Sequence, residues 1–260
     1  MNLVKSEFLK VIYQRRTWGL LLAGIALAVL ATSVSPWAMT RLTQGNLGSL
    51  ANPQAIDSVY AKALGSYIFA VIIGTMMMSS EFNHHTAIAT FLVSPKRSSA
   101  YYAKLVVAAV TGALFMVVTT GIGMIGGVIA LGYYKGAAAP TDGKIIDLLA
   151  AGALIGAVLA VVGLAIGTLI RNQNAAVTTT LVYFFVVDRL LGVLFTDIGK
   201  YLPTGLITSM MNLQLKVKTG GITIDSANYL DSLPAAGLLL LYGIVFGAIA
   251  LVTTNRRDID

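Results

Sequence analysis

Glu81, His84 and His85 are the residues to which a chemistry is most readily given: positions i, i+3 and i+4 share one helical face, and a His/Glu cluster so spaced can bind zinc. Polar residues turned to solvent or to a partner protein explain the same pattern, and that reading is preferred, so no metal is assigned. Asp188 and Arg189 are the only charges well inside an apolar run. Ionisable groups within a membrane usually face protein or water and mark a pathway, which makes the pair a candidate translocation site. A span ending near Val187 would instead make both interfacial, and the two readings stand side by side.

Other chemistries are excluded. The chain has no cysteine, so disulfides, thiolate metal sites and Cys nucleophiles are ruled out. No G-x-x-x-x-G-K-[ST] loop occurs, and the glycine-rich stretches sit in apolar runs where they cannot cradle phosphate. Both histidines are adjacent, so no Ser/His/Asp triad assembles. No basic stripe is interleaved with aromatics, so nucleic acid is not an expected partner.

The elements that must position these residues are membrane spans. The chain is 57% hydrophobic and 11% charged, and its mean hydropathy is positive. Six apolar runs are expected as spans, at about 18–34, 64–78, 104–134, 145–170, 175–195 and 233–254. The third is long for a ~30 Å core, which implies tilt, a kink or a projecting end, with Gly121, Gly123, Gly126 and Gly127 as the place for a bend. Residues 2–16 place Leu3, Val4, Phe8, Val11 and Ile12 on one helical face, with Lys5, Glu7, Lys10, Gln14 and Arg15 largely on the other. That is an amphipathic helix suited to the headgroup layer. Arg15 and Arg16 before an apolar run also fit a secretory or twin-arginine signal, but the five spans that follow favour a retained first span.

Between the second and third runs lies a polar, helix-competent island, Ser79 to Lys104, in which Ala87, Phe91 and Leu92 recur at helical spacing and Pro95, Lys96 and Arg97 stop the helix. A short helix on the membrane surface and a solvated loop both fit it. With six spans, one side carries both termini, this island and the loop Arg171 to Asn174, with ten Lys or Arg and four acids against eight and seven on the other. The first side concentrates its basic residues in short segments near span ends, which places both termini in the cytoplasm. Four G-x-x-x-G pairs lie wholly within the expected spans. Two of them, Gly152 with Gly156 and Gly163 with Gly167, lie on roughly one stripe of the fourth span, as close helix packing within the chain or a dimer seam requires. The 37-residue connection 196–232 is moderately apolar and interrupted by Gly and Pro, which fits short helices dipping into the outer leaflet.

Four segments together resemble the membrane subunits of ABC exporters of the type-2 class, in the bacterial family of permeases about this long. They are Ser6-Glu7-Phe8-Leu9-Lys10 with Arg15, Arg16, Thr17 and Trp18; Glu81 and Thr86 to Phe91 with Pro95, Arg97 and Lys104; Gly163 to Gly167 with Arg171-Asn172-Gln173; and Val186-Val187-Asp188 with Tyr201-Leu202-Pro203. The resemblance implies an all-α polytopic membrane protein forming a single transmembrane domain over 1–260. Its parts are an elbow helix at 1–16, a cytoplasmic coupling helix within 79–100, and re-entrant helices within 196–232. It further implies a bacterial plasma-membrane subunit that pairs with a second permease subunit, a homodimer before a heterodimer, within membrane lipid. Each copy would bind a separate ATPase subunit through Glu81, His84, His85, Thr86, Phe91, Pro95 and Arg97, and ATP and Mg would belong to that partner rather than to this chain. The family commonly has Gly where this chain has His85, and Glu where it has Asp188. An ion-coupled transporter or channel without an ATPase, and an intramembrane enzyme, are the rival classes. The first needs acids or histidines along the middle of the spans, the second clustered ligands on several spans, and the sequence offers only Asp188 and Arg189.

Overall fold

The computed structural model describes residues 2–42, 50–83, 97–135, 137–141, 143–170, 172–211, 216–219, 222–225 and 229–256. It is an all-α polytopic architecture in which six helices are long and apolar enough to cross a membrane: Arg15–Arg41, Pro53–Phe82, Ser99–Gly132, Lys144–Leu169, Gln173–Leu194 and Ser232–Thr254. These are spans one to six below. Span two is the most enclosed, and spans one and five are the most exposed along their lengths. Spans two, three and four therefore form the centre.

Local chemistry sets the boundaries. The amphipathic helix runs Asn2–Tyr13 and breaks at Gln14; the Trp18 indole N–H donates to the Ile12 carbonyl at 2.8 Å across the corner into span one. Asn52 caps the helix that begins at Pro53, its side chain accepting from the Gln54 N–H, and Asn172 caps span five in the same way through Ala175. Gly143, at φ 78°, takes the left-handed turn that starts span four, a conformation that suits glycine. Span two is one helical run from Pro53 to Asn83, interrupted only by a 3-10 turn at Lys62–Ser66, so it begins eleven residues before the apolar run does. At that far end Asp57 accepts from the Thr141 N–H and hydroxyl at 2.9 and 2.5 Å, pinning the loop before span four.

Small residues bring the central spans together. A Cβ on Gly163 or Gly167 would overlap the Val71 or Thr75 carbonyl of span two, and one on Gly156 the Gly112 carbonyl of span three. Gly152 lies against Leu64 and Thr120. The expected stripe on span four is thus the wedge between spans two and three of the same chain, where close approach replaces a hydrophobic driving force. Span three does not break at its glycines. Its helix is unbroken from Arg97 to Gly132, Gly123 packs on Ala28 and Ala63, and Gly127 on Tyr60. The Thr32 hydroxyl donates to the Gly123 carbonyl at 2.7 Å. The helix also starts earlier than the apolar run does, at Arg97 rather than near Lys104.

The connection before span six is only partly helical. Thr196–Gly199 and Pro203–Met211 are helices, but Lys216–Thr219 and Ile222–Asp225 pair as an antiparallel ribbon, with Lys216 opposite Asp225 and Thr219 opposite Ile222. The alternation of β-branched and polar residues in KVKT and ITID has a period of two, which a helix cannot use. The expected short helices are thus present in 196–232, and the ribbon is an addition to them.

Candidate functional site

Two polar centres are built into the bundle, one near each end. The first joins the amphipathic helix to spans two and three. Lys104, on the first turns of span three and 1% exposed, donates to Glu7 Oε2 at 2.5 Å and to Glu81 Oε1 at 2.6 Å. Lys10 donates to Glu7 Oε1 at 2.6 Å and to Glu81 Oε1 at 3.1 Å. Two ammoniums thus face two carboxylates, so the group is neutral as a whole, and it rests on an apolar cluster that includes Val11, Met77, Met78, Tyr101 and Leu164. Burial pushes the Glu7 carboxyl upward, but Lys104 and Lys10 outweigh it and hold it below the usual 4.5. Burial likewise pulls Lys10 down, yet Glu7 and Glu81 leave it above the usual 10.5.

Glu7 was expected largely on the polar face of its helix. It is 4% exposed, while Val4 and Ile12 of the expected apolar face are each 38% exposed. Leu3, Glu7 and Val11 follow one another at i, i+4, and that stripe is the one turned to the bundle; the sign available in the sequence was the position of Glu7 on it. The membrane supplies an apolar surrounding for the other face, so both faces tolerate apolar residues.

Glu81 lies in the last turn of span two, is 8% exposed and points into this cluster. Arg97 opens the helix of span three. His84, His85, Thr86, Phe91 and Pro95 lie outside the described residues. Glu81 and Lys104 therefore stand at the two ends from which the intervening segment runs. Among the described residues no group of three or more His, Cys, Asp or Glu side chains gathers to hold a metal.

The second centre lies in span five, where a π-helical turn at Tyr183–Val187 precedes Asp188. The helix continues to Leu194, six residues beyond Asp188, so the span does not end near Val187. Asp188 is 1% exposed and accepts from the Thr204 N–H at 3.1 Å and the Thr204 hydroxyl at 2.5 Å. It thereby caps the first turn of the helix Pro203–Met211, whose free N–H groups favour a carboxylate. The chain makes this return through glycines: a Cβ on Gly199 would press on Gly192, and one on Gly205 would overlap the Gly199 carbonyl. Thr204 is thus drawn back level with Asp188, ~9 Å below the end of span five, and the helix goes on to pack against span six. This is a re-entrant helix. Arg189, one residue on, points away and is exposed, beside Tyr67. The adjacent charges are not a pair, since neighbours on a helix diverge by about 100°.

Six apolar helices, an amphipathic helix clamped to their ends and a buried carboxylate of span five holding a re-entrant helix define a multi-pass α-helical membrane protein whose buried charges fasten elements together. The chain belongs to the ABC-2 transporter family: the family model described as ABC-2 family transporter protein matches residues 3–187. It is accordingly a permease component of an ABC transporter, a transport subunit and not a catalytic one. The matched region ends one residue before Asp188. No curated protein matches the chain.

Proposed function

We propose that this chain is the membrane-spanning subunit of an ATP-driven exporter in a bacterial plasma membrane, moving an amphipathic or hydrophobic substrate outward. Two copies would pair, each engaged by a separate ATPase subunit that holds ATP and Mg, with both termini and the segment between Glu81 and Arg97 in the cytoplasm. The observation that carries the reading is the buried Glu7–Lys104–Glu81 linkage in a chain of this family. It makes the amphipathic helix and the ends of spans two and three one body, so a push on the segment between them would reach both spans. Closure of the ATPase pair on ATP would then rock the two copies against each other and change the side to which their cavity opens. In this scheme Glu81 acts inside the membrane subunit, while His84, His85, Thr86, Phe91, Pro95 and Arg97 meet the ATPase. Asp188 shapes the outer end of the pathway by fixing the re-entrant helix, and Arg189 faces the pathway.

The test is gentle purification of the tagged chain from its native cells, with identification of what accompanies it and an ATPase assay. A stoichiometric ATPase subunit, lost on charge reversal at Arg97 or on Phe91→Ala, supports the reading. Glu81→Gln is the poorer probe, because it disturbs the internal cluster first. A chain that comes out alone and moves ions or solutes in liposomes without ATP overturns the reading in favour of an ion-coupled transporter.

A further inference from the structure

At the end of the bundle remote from the amphipathic helix, spans one and three flank a groove of about 400 Å³. Val29 and Ser33 line one wall; Gly126, Ile129, Ala130, Tyr133 and Tyr134 line the other. The volume lies within the ~300–1,000 Å³ of small-molecule sites. Val29 and Ser33 stand ~21 to ~27 Å along the helix from Arg15, so the groove is in the far half of a ~30 Å hydrocarbon core. It opens sideways, with Ile129 60% and Tyr133 83% exposed at its edge. Its floor exists because residue 126 is glycine: a Cβ there would contact Val29 and the hydroxyls of Thr32 and Ser33.

The rim beyond the groove is cationic and aromatic. Val29, Ser33, Trp37 and Arg41 follow one another at i, i+4 along a slowly winding stripe, and the Arg41 guanidinium lies 5.8 Å over the Trp37 ring. On the opposite wall the exposed Lys135 follows Tyr134. The nearest acid on span two, Asp57, is one turn from the Tyr60 that packs on Gly127, and its carboxylate is engaged by Thr141. A cleft at hydrocarbon depth beneath a basic, aromatic rim matches a molecule with an apolar tail and an anionic head. We infer that this groove seats one acyl chain of an anionic phospholipid of that leaflet, its phosphate held by Arg41 and Lys135. The inference requires only that the chain spans a membrane and is independent of any ATPase partner.

Trp37 is a built-in reporter, and Trp18 is the only other tryptophan. The W18F chain is reconstituted into vesicles of unlabelled phosphatidylcholine, and quenching of Trp37 is followed as brominated phosphatidylglycerol or brominated phosphatidylcholine is added. The expected result is tighter quenching by the anionic lipid, by about fivefold for each of the two basic residues, falling to no preference in R41Q/K135Q. Ala130→Phe, which fills the groove, removes the saturable part of the quenching while leaving that of lipid at large. Native mass spectrometry of the otherwise unaltered chain and of A130F gives the second readout, with retained phosphatidylglycerol lost in the variant. Equal quenching by the two lipids overturns the inference, and so does an anionic preference that A130F leaves unchanged, since the lipid would then lie outside the groove.

Discussion

The ammonium of Lys104 lies 2.5 Å from the carboxylate of Glu7, ninety-seven residues earlier, with both side chains almost wholly out of contact with solvent. Removing one member of such a pair leaves an uncompensated buried charge, whereas removing both does not. Lys104→Met is expected to destabilise the fold by about 3–5 kcal/mol. The E7Q/K104M double variant should fall well short of the sum of the two single effects, because the residues share one network. Thermal unfolding in detergent measures all three, and strict additivity would show that the contact carries no coupling.

Docking of the amphipathic helix should depend on pH at both extremes. Glu7 titrates below 4.5 when folded, so its contribution is fully present above the unfolded value and is lost as pH falls through the lowered one. Lys10 titrates above 10.5, so its contribution is present below that value and is lost as pH rises through the raised one. A spin label at Tyr13, which is 81% exposed, can be placed by Y13C in a chain with no other cysteine. Its mobility should stay constant from about pH 5 to about pH 10 and increase outside that window. A midpoint near neutrality would contradict the ion-pair account.

Thr204 tests the re-entrant helix. Thr204→Val keeps the backbone N–H on Asp188 and deletes the hydroxyl, at an expected cost of about 1.5–3 kcal/mol for a hydrogen bond to a charged group. Asp188→Asn retains an acceptor for that N–H and should cost less than Asp188→Ala, which strips the cap entirely. Protease sensitivity of the 196–211 segment gives the order of the three, and an Asn variant as labile as Ala would argue against capping.

Glycine positions separate packing from mere flexibility. Gly163→Val drives a side chain into the Val71 carbonyl, and overpacking of this kind costs about 1–3 kcal/mol or more. Gly237→Ala, in span six with nothing within 4 Å of the new methyl, should be neutral or stabilising by roughly 0.5–1 kcal/mol. Midpoints of thermal aggregation for the two variants should therefore move in opposite directions.

The sequence by itself determined the six spans, the amphipathic helix before them and the kinship, because hydrocarbon demands about twenty apolar residues per crossing and a chain that meets the demand shows it locally. It also showed that Asp188 and Arg189 were unusual. What it could not show was which charge meets which. Glu7 looked like part of a polar face, Glu81 like a contact for another protein, and Lys104 like the border of a span. Only the packing of spans two and three on span four, close at Gly112, Gly156, Gly163 and Gly167, and of the amphipathic helix on their ends, brings the three together. Periodicity likewise assigned Asp188 a depth but not a partner, since Thr204 reaches it through a chain reversal that rests on Gly192, Gly199 and Gly205. Span placement follows from transfer free energy, which is a sum over neighbouring residues. The pairing of buried charges follows from helix contacts between residues far apart in the chain, and is therefore decided only when the tertiary structure forms.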